Sequence, residues 1–91
     1  MAAMKVGDVI GVRCQVQPGP FSQERVVTVE TTTGPISGFV REEQLHQSNG
    51  QWTVRAVVQK MRPNEIQVLI DGSFFTTNGV ASVPEHLAMA A

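Results

Sequence analysis

Tyrosine is absent from this 91-residue chain, and its aromatic residues are one tryptophan and four phenylalanines. The chain has one cysteine, Cys14, so it cannot form an internal disulfide. No apolar run approaches the roughly 18 residues that a membrane span requires, and residues 1–5 lack the apolar core of a signal peptide. The sequence therefore predicts a cytoplasmic protein without membrane association.

Motifs that carry chemistry are also missing. The sequence has no GxSxG, no Cys-His pair at a readable spacing and no glycine-rich phosphate loop. Glu42 and Glu43 are adjacent and point in different directions on any regular element, which is typical of a solvated face. His46 and His86 have no cysteine partner, whereas a metal site needs three or four ligands together. We therefore predict no catalytic residue, no metal site and no cofactor, and the chain is not expected to be an enzyme.

Charge is sparse and mixed. Charged residues are 16% of the chain, the formal net charge is −1, and acids and bases alternate instead of forming blocks. Binding to nucleic acid depends on clustered Lys and Arg that neutralise phosphates. The overall charge therefore does not favour a nucleic-acid partner, although a local basic patch is still compatible with the sequence.

The two halves of the chain show internal sequence similarity. Residues 12–17 share Val, Arg, Val and Gln with residues 54–59, which lie 42 positions later (54 − 12), and Leu45 and Leu87 are again 42 apart (87 − 45). Repeated units bury their apolar faces against each other. This internal similarity predicts a duplication within one domain. The expected boundaries are 4–88 for the domain, about 5–46 and 51–88 for the halves, and 1–3 and 89–91 for the tails.

Apolar residues alternate with polar ones, which is the period of a half-buried strand. One predicted face carries Ile10, Val12, Cys14 and Val16 in the first half, and Trp52, Val54, Ala56 and Val58 in the second. Turn signals separate the strands, notably Asn49-Gly50 and the run Arg62–Glu65. The spacing predicts about six to seven short strands, as in a small barrel or sandwich.

Residues 83–87, Val-Pro-Glu-His-Leu, resemble the tail of an SH3-like barrel, in which a strand ends in Val-Pro and passes into a one-turn helix. Residues 40–45 follow the same pattern without the proline. The resemblance implies an all-β fold, a small SH3-like or related barrel with a short helical turn at the end of each half. It implies no ligand, because such folds host many functions. Whether the halves close one barrel or two is open.

Three aromatic residues are the candidate binding residues for a protein or ligand. Neighbouring residues on a strand face opposite ways, so one of Phe74 and Phe75 is expected to face outward. Burial of both is the alternative interpretation. Trp52 follows a polar loop and is either a core residue, which is the commoner case, or a stacking platform.

Four basic residues are the candidates for an alternative, nucleic-acid-binding function: Arg13, Arg55, Lys60 and Arg62. Alternation puts Arg13 and Arg55 on the outward face, at corresponding places in the two halves, and Lys60 and Arg62 follow on the same hairpin. With Trp52 they could contact a backbone and stack a base, as small barrels do. Scattered charges offset by nearby glutamates are the simpler interpretation.

The preferred functional hypothesis is a non-enzymatic interaction or assembly module that binds a protein partner or a second copy of itself, since exposed edge strands favour pairing with another subunit. The first alternative is the nucleic-acid-binding barrel. The second is a small-molecule binder or enzyme with a pocket between the two halves.

Overall fold

An antiparallel sheet accounts for most of the described chain. The computed structural model describes residues 4–19, 22–74 and 79–90. Its strands are β1 (Val9–Pro18), β2 (Glu24–Thr31), β3 (Gly34–Arg41), β4 (Leu45–Ser48), β5 (Gln51–Arg62), β6 (Glu65–Ile70), β7 (Ser73–Phe74), β8 (Val80–Pro84) and β9 (Ala88–Ala90). The helical segments within these ranges are two 3₁₀ turns, Glu42–Gln44 and Glu85–Leu87. The prediction of an all-β fold is confirmed.

The sheet curls into a half-barrel. Its strands lie in the order β7-β3-β2-β1-β5-β6-β8, while β4 pairs with β5 and β9 pairs with β1. The turn after β2 reaches the edge strand β8, where the backbone N–H of Thr32 donates to the carbonyl of Ser82 at 2.9 Å. Both halves of the sequence therefore contribute to one curled sheet.

A single aliphatic core fills the concave side. The buried hydrophobic residues of the described chain are Ile10, Val12, Val27, Val29, Val40, Val54, Ala56, Val58, Ile66, Val68, Ile70, Ala81 and Val83. They follow the period-2 alternation of their strands, because successive side chains of a strand point to opposite faces. None of the described polar or charged residues is buried. The core is thus closed by Val, Ile and Ala contributed by both halves.

The strand pairing is twofold-symmetric about Val12 and Val54, which face each other across β1 and β5. On either side of this pair, Gly11 pairs with Arg55 and Arg13 pairs with Thr53. With the 42-residue offset between the halves, Gly11 corresponds to Thr53 and Arg13 to Arg55. The two flanking pairs are therefore equivalent by the twofold symmetry. The later strands follow the same rule. Leu45 of β4 pairs with Val54, and Ala88 of β9 pairs with Val12. Each half therefore gives its last strand to the first strand of the other half.

The two 3₁₀ turns are anchored in the same way. The N–H of Glu42 donates to the carbonyl of Gln23 at 2.9 Å, and the N–H of Glu85 donates to the carbonyl of Asn64 at 3.0 Å. In both cases the acceptor lies in the loop between the first two strands of the same half. Each 3₁₀ turn thereby directs the chain into the strand that pairs with the other half, which is β4 after the first turn and β9 after the second.

Two sequence-based expectations change at these turns. The resemblance to SH3-like barrels predicts a one-turn helix after Val83-Pro84, and the structure has a 3₁₀ turn of three residues, Glu85–Leu87, that no side chain caps. Residues 88–90 form β9, although residues 89–91 were assigned to a tail. The described chain also has nine strands where six or seven were expected. The short segments β4 and β9 are held in extended conformation by pairing with β5 and β1 of the other half. Local sequence does not encode this pairing between distant residues.

Candidate functional site

An apolar row crosses the outward face of four neighbouring strands. It consists of Val9, Val57, Leu69 and Val80, which we call the apolar row. Val9 pairs with Val57, Val57 with Leu69, and Leu69 with Val80. Val9, Leu69 and Val80 are 48%, 37% and 39% exposed, and Val57 is half-buried. Since directly opposed residues have Cβ atoms about 5 Å apart, the four side chains form one continuous apolar strip.

The corresponding row of the first half is polar. In the first half, Gln15 pairs with Thr28, and Thr28 pairs with Ser37. In the second half, Val57 pairs with Leu69, and Leu69 pairs with Val80, in the same order of strands. Gln15, Thr28 and Ser37 are therefore the counterparts of Val57, Leu69 and Val80. Thr28 and Ser37 share a side-chain hydrogen bond of 3.0 Å. Residues at these outward positions therefore need not be apolar for the fold, and the apolar row requires another explanation.

The two flanks of the apolar row differ in charge. On one side Arg55 Nε and Asp71 Oδ2 form an ion pair of 3.0 Å. Exposed ion pairs contribute little to stability, but this one makes that border electrically neutral. On the other side Gln67 pairs with Ser82 of β8 and with the exposed Lys60 of β5.

A groove of about 760 Å³ lies beside the row, over the junction of β1 and β5. Its lining residues include Gly11, Arg13, Thr53 and Arg55 from the two central strands, Glu43, Leu45 and His46 from one wall, and Met89 from the other. We call this depression the arginine groove. It lies between the two halves of the chain, around the Val12–Val54 pair.

Gly11 and Thr53 form the floor of the arginine groove. A Cβ atom placed on Gly11 would lie 2.9 Å from Cβ and from Oγ1 of Thr53, which is closer than real side chains approach. Thr53 Oγ1 donates to the backbone carbonyl of His46 at 3.4 Å. The missing side chain at Gly11 lets the Thr53 side chain pack over β1, between the cross-strand neighbours of Gly11, which are Met89 and Arg55.

Arg13 and Arg55 flank this floor on a diagonal. Diagonal neighbours on paired strands have Cβ atoms roughly 7–8 Å apart, within reach of long side chains. Arg55 is 64% exposed and uses Nε for Asp71. Arg13 is half-buried, and its Nε is out of contact with solvent and without a hydrogen-bond partner in the described chain. The sequence-based expectation that these arginines face outward agrees with their place in the groove lining.

Comparisons with protein-family models, with curated proteins and with solved structures found no match for this chain. The function proposed below therefore depends on the apolar row and on the arginine groove.

The remaining candidate basic residues lie apart from the groove. Lys60 and Arg62 are exposed at the far end of β5, beyond a register shift after Val58. Arg62 Nη1 lies 3.5 Å from Glu65 Oε1. The structure therefore brings Arg13 and Arg55 together, and it does not join Lys60 or Arg62 to them.

Among the aromatic candidates, Trp52 belongs neither to the apolar row nor to the lining of the arginine groove. Trp52 is half-buried, stands opposite Cys14 on β1 and Gln47 on β4, and does not line the groove. The backbone of Phe74 pairs with Gly38 in β7. Phe75 lies outside the described residues. The prediction for these three residues remains untested.

Sequence reasoning missed Gly11, Thr53, Met89 and the apolar row. One signal was available for the row, because Val57 and Leu69 stand at outward positions of the alternation yet are apolar. The floor of the groove had no such signal, because it depends on the register of β1 against β5.

Other chemistry is sparse in the described part of the chain. Residues 4–19, 22–74 and 79–90 contain no group of three His, Cys, Asp or Glu side chains that could hold a metal. Burial raises the pKa of the Cys14 thiol to about 12. Among the same residues no helix is long and apolar enough to cross a membrane.

Proposed function

We propose that this protein is a non-enzymatic assembly module that self-associates through the apolar row. The observation that carries the proposal is the contrast between Val57, Leu69 and Val80 and their polar counterparts Gln15, Thr28 and Ser37 at corresponding positions of the first half. A continuous exposed apolar strip on a small protein marks an interaction site. Burying it would remove apolar surface from water, at roughly 25 cal/mol per Å².

A second copy of the chain fits this surface. A twofold dimer brings the same patch of both subunits together, so the patch must be compatible with itself. Most of the flank satisfies this condition, since the Arg55–Asp71 pair is internally neutralised and Gln67 and Ser82 are uncharged, while Lys60, opposite Gln67, adds one exposed cation. The strands that carry the row form a sheet face, and two sheet faces pack at about 30° with their side chains interdigitated.

The test is sedimentation equilibrium of the wild-type chain and of Leu69→Lys. Lysine at position 69 would put a charge into the contact from both subunits and remove the largest side chain of the row. We expect a wild-type dimer and an increase of more than about tenfold in its dissociation constant for Leu69→Lys.

Gln15→Lys is the matched control, because it adds the same charge at an outward strand position in the polar row of the first half. It is expected to leave the dissociation constant within about twofold of the wild type, a change below 0.5 kcal/mol. A monomeric wild-type chain, or equal effects of the two substitutions, would contradict the proposal.

We also propose that the chain arose by duplication of a unit consisting of three strands, a 3₁₀ turn and a further strand. The coinciding registers and the equivalent anchors of Glu42 and Glu85 support this origin. The order of strand, 3₁₀ turn and strand in residues 80–90 also supports the SH3-like resemblance. A gene duplication explains why each half completes the other, since the ancestral unit would have assembled as a twofold dimer.

The nucleic-acid-binding alternative has less support. It requires Arg13, Arg55, Lys60 and Arg62 on one surface, and the last two lie apart from the groove. Binding of mixed-sequence single-stranded DNA or RNA that weakens steeply with salt would favour this alternative over self-association.

A further inference from the structure

We infer that the arginine groove is a binding site for a small organic anion, with the oxyanion held between Arg13 and Arg55 and an apolar body against Val9, Leu45 and Met89. This inference does not depend on self-association through the apolar row.

Arg13 supplies the first reason. Its guanidinium has no ion pair among the described residues, and its Nε is removed from solvent without an acceptor. A charged donor left without an acceptor in a partly buried place is costly. Carboxylate, phosphate and sulfonate groups match the planar fork of a guanidinium and form strong charge-assisted hydrogen bonds with it. Because the Nε is closed off from solvent, an oxyanion in the groove would bind the terminal nitrogens of Arg13 and supply the negative charge that the described chain does not.

Arg55 supplies the second cation on the opposite side of the floor. Its Nε is engaged by Asp71 at 3.0 Å, which fixes the direction of the side chain. The two terminal nitrogens of the guanidinium have no partner among the described residues and remain able to donate. Because Asp71 balances one charge, the pair of arginines is suited to a single anionic group with modest net charge.

Gly11 and Thr53 pack together to form the floor. A Cβ on Gly11 would lie 2.9 Å from Cβ and from Oγ1 of Thr53, so the Thr53 side chain occupies the space above this glycine. The Thr53 hydroxyl donates to the carbonyl of His46. The oxyanion would therefore lie over this floor, between the side chains of Arg13 and Arg55, which line the same groove.

The rest of the lining of the arginine groove is mixed. Its apolar residues are Val9, Ile10, Leu45 and Met89, and its polar residues are Glu43, Gln44, His46, Asn49 and Gln51. Val9 and Met89 are 48% and 38% exposed, and Leu45 packs partly against the core. The Glu43 carboxylate has a basic neighbour, since Arg41 Nη1 lies 3.4 Å from its Oε1. The groove thus offers an apolar surface of four side chains beside the two arginines.

The volume favours a small molecule over a polymer. At about 760 Å³ the groove is within the roughly 300–1,000 Å³ typical of small-ligand sites. A nucleic-acid strand would need further cations along its path, and Lys60 and Arg62 are not in the lining. An organic acid with an aromatic or branched aliphatic body satisfies both the charge and the apolar walls.

The test is an NMR titration of the ¹⁵N-labelled full chain with 1-naphthoate, an apolar ring system that carries one carboxylate. The neutral analogue 1-naphthylmethanol is titrated in parallel. We expect shifts at the amides of Gly11, Thr53 and Arg55, and binding of naphthoate at least about tenfold tighter than binding of the alcohol.

Two variants connect the binding to the arginines. Arg13→Gln and Arg55→Gln should each weaken naphthoate binding by at least about fivefold, since each removes a charged donor to the carboxylate. Arg55 is exposed, so its variant should fold even if Arg13→Gln does not. Arg62→Gln, the same substitution outside the groove, is the matched control and should bind as the wild type does.

The opposite results would overturn the inference. These are no naphthoate binding at millimolar concentration, equal affinity for the alcohol, shifts outside the groove, or equal affinity in Arg55→Gln and Arg62→Gln. Displacement of naphthoate by a mixed-sequence single-stranded oligonucleotide, with a steep dependence on salt, would also overturn it in favour of nucleic acid. Because Leu69→Lys does not touch the groove, failure of self-association and failure of anion binding can be distinguished.

Discussion

Gly11 is the residue that lets Thr53 pack across the floor of the arginine groove. Its place in β1 does not require a positive φ, so its conformational freedom is not the reason for a glycine there. The reason is the close approach of Thr53, whose Cβ and Oγ1 lie 2.9 Å from where a Cβ would stand. Thr53 is also the position that corresponds to Gly11 in the second half. The two corresponding positions thus hold one small and one larger residue that fit together.

Gly11→Thr should destabilise the fold and close the groove. Overpacking of this kind costs about 1–3 kcal/mol, which urea unfolding will measure. The exchange variant, Gly11→Thr with Thr53→Gly, restores the total volume across the pair and should recover most of the lost free energy of unfolding. Equal stability of the single and double variants would contradict the assigned contact.

Cys14 should be inert as a nucleophile in the folded chain. Burial raises the pKa of its thiol to about 12 from its ordinary value of 9.0, and only the thiolate reacts. Alkylation by iodoacetamide at pH 8, followed by mass spectrometry, should be slow in buffer and fast in denaturant. Fast alkylation of the native protein would contradict this burial.

The same shift predicts a pH dependence of stability. Between pH 9 and about 12 the unfolded thiol is deprotonated while the folded thiol is still protonated. The folded state then binds more protons, so the Cys14 contribution to the free energy of unfolding falls across this window and is constant below it. Cys14→Ala should reduce this alkaline loss of stability, measured by urea unfolding against pH.

At the scale of elements, local chemistry determined the hairpins. Asn49 and Gly50 have φ values of 53° and 78°, as a two-residue hairpin turn of type I′ requires, and they join β4 to β5. The turn between β5 and β6 was likewise predictable from Pro63 and Asn64. Alternation also identified the buried side of β1 and β5.

Elements held by distant pairing were not predictable. The sequence-based expectations include neither β4 nor β9 as strands, and residues 89–91 were assigned to a tail, because each strand is a few residues long and is extended by a partner in the other half. The groove is invisible in the sequence for the same reason, and the apolar row leaves one signal, the apolar residues Val57 and Leu69 at outward positions of the alternation. Both are sets of residues from several strands, and a register change of one residue would turn either set to the other face.

Two turn residues with positive φ, Gly50 and Asn64, can be tested by opposite substitutions. Gly50→Ala places a Cβ at φ 78° and should cost about 1–2 kcal/mol. Asn64→Gly, at φ 67°, removes a side chain from the same backbone region and should change stability by less than about 0.5 kcal/mol. Thermal and urea unfolding of both variants will compare them, and an equal loss in both would contradict the turn conformations.

At the scale of the whole molecule, the two halves share a pattern of pairing and differ in their surfaces. The fold uses the first and second halves symmetrically to close one core. Outward positions are free from that constraint, and there the second half carries Val57, Leu69 and Val80 where the first carries polar residues. Duplication would therefore have retained the core and allowed one face to become an interface.

The most direct test of self-association through the apolar row is an isotope-filtered NOE measurement on a mixture of ¹³C-labelled and unlabelled chains. We predict intermolecular NOEs between the methyl groups of Val57, Leu69 and Val80 of the two copies, and their disappearance in Leu69→Lys. Intermolecular NOEs confined to other residues, or none at concentrations where the chain sediments as a dimer, would contradict the proposed interface.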